Sequence, residues 1–114
     1  MKLSVLERLL LLRLLPGKGN LTDLRIIRDM QDRLSFSEEE HEALNFQSDG
    51  RAMRWNTEAD LMEDVQFGPR ARKIVWNQLH AAEQRGEEFD FAIMRLCDEF
   101  DYPGDKAEND DGSA

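Results

Sequence analysis

A chain of 114 residues has room for one domain with a modest core. Its net charge of −9 is concentrated at one end: from Asp98 onward seven acidic residues face Lys106 alone, which leaves −3 for residues 1–97. A tail of that sign repels phosphate backbones while the balanced body neither attracts nor forbids them, and the single cysteine, Cys97, excludes an internal disulfide or a cysteine-rich zinc site.

Residues 3–15 place leucines around nearly the whole circumference of a helix, a pattern that predicts a central element. Glu7, Arg8 and Arg13 interrupt the apolar run and no small-residue cleavage site follows, so it reads neither as a signal peptide nor as a membrane span. The expected setting is the cytoplasm. Pro16-Gly17-Lys18-Gly19-Asn20 lacks the spacing of a phosphate loop and predicts an interhelical turn. A second helix is expected from Leu21 or Thr22 to Leu34, burying Leu24, Ile27, Met30 and Leu34, with Arg25–Asp29, Asp29–Arg33 and Arg28–Asp32 spaced for surface ion pairs. Ser37 and Glu40 form a capping box for a short third helix ending near Ala43.

Leu44–Asn56 predicts a β-hairpin. Asp49-Gly50 suits a two-residue type I′ turn, which would pair Ser48 with Arg51, Gln47 with Ala52 and Phe46 with Met53. One face then carries Leu44, Phe46, Met53 and Trp55. Asp64-Val65-Gln66-Phe67 alternates and predicts a third strand or an extended edge. After the Gly68-Pro69 break, a long helix from Arg70 to Gln84 buries Ala71, Val75, Leu79 and Ala82, and a last helix spans Phe89 to Phe100. The expected fold class is α+β: a mostly helical single domain, residues 1–101, with a small antiparallel hairpin in winged-helix-like order. Residues 102–114 read as a disordered acidic tail.

No catalytic residue, metal site or cofactor motif emerges. Glu38 and His41 stand one helical turn apart, but the second half of a dinuclear metal site is missing, since Asn77 precedes His80 by three residues. Cys97 has no activating base in its pattern. A winged helix would dock its third helix on DNA, yet here that helix carries Glu38, Glu39, Glu40 and Glu42. A nucleic-acid interface would have to use Arg51 and Arg54 of the hairpin and Arg70 of the long helix. Trp76 lies outside the centre of the long helix's apolar stripe, on the side shared by Arg72, His80 and Glu83, and Lys73 joins Trp76, Arg72 and His80 as a candidate partner-binding residue. It either packs under the hairpin or anchors a protein partner, for which tryptophan and arginine are suited. Glu38, Glu39 and Glu42 offer a second partner-binding face.

The runs Glu7–Asn20, Leu24–Arg28 and Leu34–Glu42, with Trp55-Asn56 and the helices between Phe67-Gly68 and Phe100, resemble a group of small bacteriophage and prophage proteins of unassigned function. The resemblance implies a phage product working in the cytoplasm of a bacterial host and carries no catalytic residue over. The expected function is non-enzymatic binding to a host or phage protein, to modulate or inhibit it, with a nucleic-acid-binding regulator as the alternative. Self-association as a homodimer stays open, because the first helix is leucine-saturated.

Overall fold

The computed structural model describes residues 1–59 and 61–104; the acidic segment 105–114 lies outside the described residues. Five helices and two small antiparallel ladders make an α+β fold. The order, three helices followed by a hairpin, is as the sequence predicts. Among the described residues no helix is long and apolar enough to cross a membrane.

The leucine-rich run divides at Ser4. Lys2–Ser4 is a strand, β1, and Val5–Leu14 is helix α1, with Ser4 accepting from the Glu7 amide and Glu7 accepting from the Ser4 amide in a capping box. Helix α2 (Leu21–Leu34) is capped by Asn20, which accepts from the Asp23 amide, so the glycine turn before it serves a helix start. Ile27, Met30 and Leu34 are buried as expected, whereas Leu24 is 38% exposed. Of the three expected ion pairs on α2, only Asp29–Arg33 closes among the described residues, at 3.0 Å. Helix α3 (Glu38–Leu44) has the predicted capping box of Ser37 and Glu40 and ends at Asn45 in the left-handed conformation.

The hairpin forms with a different register. Strands β2 (Gln47–Ser48) and β3 (Met53–Arg54) pair Gln47 with Arg54 and Ser48 with Met53. A type I′ turn needs positive φ at both central residues, but only Gly50 adopts it, at 89°. Asp49 instead turns its carboxylate onto the Arg51 and Ala52 amides, 3.0 Å each, and the loop widens to four residues. The shift is even, so Phe46 and Trp55 still share a face, but the predicted apolar face is not complete: Leu44 is the last residue of α3 rather than a strand residue, and Met53 is 47% exposed. Its rings lie on α3: Phe46 stacks edge-on against Phe36 at 5.1 Å and His41 at 5.5 Å, with Trp55 tilted at 6.1 Å.

The expected third strand does not join the hairpin. Strand β4 (Met62–Asp64) pairs antiparallel with β1, Leu3 opposite Glu63, and the Val65 amide bonds the Met1 carbonyl at 2.9 Å. Pairing with the chain's start covers Leu3 completely and buries Val65, which an outer hairpin position would have left wet. Helices α4 (Pro69–Gln84) and α5 (Phe91–Glu99) follow, the second capped by Asp90. The α4 stripe Ala71, Val75, Leu79 and Ala82 is buried together with Ile74, and Leu96 and Phe100 close the core from α5. Helix α1 packs against α2, α4 and α5, as a central helix should.

Candidate functional site

Two charged residues sit at the core boundary, and both come from the leucine helix. Arg8 is 1% exposed: its Nε bonds the Leu34 carbonyl at 3.1 Å, one terminal nitrogen bonds the Ser35 carbonyl at 2.7 Å, and the fork meets Glu40. Phe36 lies under the guanidinium, 3.9 Å from ring centre to Cζ. Glu7 is 4% exposed and pairs with Arg95 of α5. Every donor position thus has a use in holding helices together, a structural role consistent with the cost of leaving a buried charge unpaired. Arg8 holds the Glu40 carboxyl down at about 2. Glu40 therefore leaves the expected acidic face, whose exposed members are Glu38, Glu39 and Glu42.

A different region gathers the residues expected to bind a partner. Arg72, Lys73, Trp76 and His80 share one side of α4 because they recur at three- and four-residue spacing. The chain leaving α5 crosses that side. The Tyr102 amide bonds the Cys97 carbonyl at 2.8 Å, which turns Tyr102 and Pro103 back over α4. Between them lies a groove of about 330 Å³, closed at its edges by Pro69 and Pro103. Trp76 does not pack under the hairpin. Its indole N–H donates to the Phe100 carbonyl at 2.6 Å and its ring meets Tyr102 edge-on at 6.0 Å. The half-buried tryptophan is locked by the C-terminal turn, leaving ring surface rather than a donor to the groove.

Arg72 lies over the Phe100 ring at 5.7 Å and reaches Asp101 at 3.9 Å, the outer limit of an ion pair. Lys73 is exposed and has no ion-pair partner among the described residues. Among the described residues no carboxylate lines the groove. Glu38, Glu39 and Glu42 do not line it either, so the two partner-binding faces expected from sequence are separate. Tyr102 and Pro103 thus belong to the folded body and not to an acidic tail beginning at residue 102; an aromatic residue and a proline just after Asp101 are unusual for a solvated segment.

The basic residues of the nucleic-acid alternative are partly engaged. Arg70 forks onto Asp23 of α2 at 2.8 and 3.0 Å, tying α4 to α2. Arg54 stands 4.0 Å from Asp49, and Arg51 is exposed on the hairpin tip. Arg25 and Arg28 line a second groove on α2, beside the exposed Leu21 and Leu24. Among the described residues no group of three or more His, Cys, Asp or Glu side chains is placed to hold a metal ion. His41 is instead wedged edge-on between Phe36 and Phe46. Burial, with Glu83 and Asp98 nearby, pushes the Cys97 thiol up to about 11, away from a nucleophile's range.

No protein-family model matches the chain, and neither does any curated protein or solved structure. What the groove does must follow from its own chemistry. An aromatic floor and a cationic rim, with the Trp76 N–H already bonded to the Phe100 carbonyl, suit a surface that holds another molecule.

Proposed function

We propose that this protein is a non-catalytic binding protein of phage or prophage origin that modulates or inhibits a host or phage protein in the bacterial cytoplasm. The observation that carries the binding half is the groove at Trp76, where a tryptophan, a tyrosine and two cations meet, with the exposed Asp101 reaching Arg72 from outside the lining. Tryptophan, tyrosine and arginine are the residue types that dominate binding energy at protein interfaces. The origin rests on the resemblance over residues 5 to 100. Non-enzymatic action is supported by Cys97, whose thiol is pushed by burial up to about 11, away from a nucleophile's range.

The test is affinity capture of the tagged full chain from bacterial lysate treated with nuclease, read by mass spectrometry. The expected result is one dominant protein retained at moderate salt. Recovery of nucleic acid alone from untreated lysate, released by salt, would overturn this reading. It would favour the regulator, whose support is the exposed Arg51 and the Arg54 beside it on the hairpin. Against that second reading stand the exposed Glu38, Glu39 and Glu42 on the helix that a winged-helix protein would present to DNA.

A further inference from the structure

We propose that the groove between α4 and residues 100–103 receives an acidic peptide segment of the protein partner, with one apolar side chain of that segment seated against Trp76 and Tyr102. The proposal rests on the protein-binding reading above and names the chemistry of its ligand.

Charge is the first argument. Arg72 and Lys73 both line this groove, and among the described residues no acidic side chain does. The first turn of α4 contains no carboxylate, so the positive end of the helix dipole adds to the same field. Lys73 has its whole ammonium group available. Arg72 is oriented by the Phe100 ring below it, and its 3.9 Å contact with Asp101 leaves donors for a second carboxylate. Asp101 is itself 87% exposed, so a ligand carboxylate competes for the guanidinium on favourable terms.

The floor supplies the second argument. The Trp76 N–H is already spent on the Phe100 carbonyl, and Pro69 and Pro103 have no N–H to offer. The rings of Trp76, Tyr102, Pro69 and Pro103 give the groove carbon surface that rewards an apolar side chain, while Asn77 and His80 also line it. The space also decides between ligand classes. Tyr102 meets Trp76 at 74° rather than parallel to it, so the two rings do not form a parallel-sided slot for a stacked nucleobase. One aliphatic or aromatic side chain fits a volume of about 330 Å³ flanked by two cations. The recognition code is therefore an apolar residue with acidic neighbours.

The probes are short fluorescein-labelled peptides: one Glu-rich with a central leucine, the same peptide with serine at the centre, and a Lys-rich peptide with the leucine. A single-stranded oligonucleotide is the fourth. Each is titrated into the full chain, with anisotropy giving affinity and amide spectra giving location. The Glu-rich leucine peptide is expected to bind, shifting the Trp76 indole and Lys73 amide signals. Replacing its leucine with serine, or using Lys73→Glu protein, is expected to weaken binding about tenfold. Equal or tighter binding of the Lys-rich peptide or the oligonucleotide overturns the proposal, as do shifts confined to other residues or no binding at all. Lys73 is exposed, so thermal unfolding of Lys73→Glu is expected to match the parent, and a mismatch directs the test to Lys73→Gln. Capturing a partner equally well with the wild-type and Lys73→Glu chains would overturn the groove proposal and leave the protein-binding reading standing. Finding no protein partner for the wild type would remove both.

Discussion

Arg8 and Glu40, separated by 32 residues, meet in a two-bond pair of 2.6 and 3.3 Å that fastens the middle of the leucine helix to the start of α3. The same guanidinium satisfies the carbonyls of Leu34 and Ser35, where α2 ends. One side chain thereby ties two helix ends to α1. Arg8→Met would keep much of the packing volume but leave two carbonyls and a carboxylate without their donor. A loss of about 3 kcal/mol in urea-unfolding free energy is expected, at the lower end for a broken buried pair because Glu40 can regain water. Glu40→Gln retains an acceptor for Arg8 and is expected to cost about 1 kcal/mol.

The pair also predicts how stability depends on pH. Glu40 is held at about 2, against an ordinary value of 4.5. A carboxyl depressed in the folded state contributes fully above its unfolded value and loses that contribution as the pH falls toward the folded one. Urea midpoints are therefore expected to decline between pH 4.5 and 2, with a shallower decline in Glu40→Gln. Identical slopes for the two proteins would show that other carboxyls govern acid unfolding.

The hairpin turn predicts a local effect. Asp49 accepts from the Arg51 and Ala52 amides, and these bonds hold its carboxyl below the usual range. Asp49→Ala is expected to weaken the cross-strand contacts of Gln47 with Arg54 and Ser48 with Met53, seen by NMR, while the core signals stay in place. Gly50 has open space around it but a φ of 89°, so Gly50→Ala is expected to cost about 1 kcal/mol through backbone strain alone.

Cys97 predicts slow thiol chemistry. A thiol pushed from 9.0 to about 11 holds roughly a hundredfold less thiolate at neutral pH. Labelling by a disulfide reagent at pH 8 is expected to be slow in the native protein and fast in urea. Rapid native labelling would show that burial, with the nearby Glu83 and Asp98 charges, does not hold the thiol protonated as the packing implies.

The helices were legible where burial follows a regular period. Ala71, Val75, Leu79 and Ala82 mark one face of α4 by spacing alone, and the Ser37–Glu40 box marks the start of α3. Features set by distant partners were not legible. Leu3-Ser4-Val5 reads as helix until Glu63 is placed opposite Leu3, and Glu40 reads as a solvated acid until Arg8 reaches it. The turn misled because Asp49 can serve the backbone by conformation or by its carboxylate, and dipeptide identity does not choose between them. The α4 half of the groove could be read from helical spacing. Its other half depends on Tyr102 folding back, a tertiary event without a local period.

The ladder between Lys2–Ser4 and Met62–Asp64 encloses three helices and the hairpin in a single loop of chain. Closing a loop of that length costs entropy before the short strands repay it, so this contact belongs late in folding. During synthesis it must wait for residue 64 to clear the ribosome, and α1 must wait longer still for α4 and α5. The most leucine-rich helix is therefore made early and covered last. For that interval the nascent chain carries a sticky segment, and its yield in a cell will depend on holdase chaperones more than the stability of the finished fold would suggest.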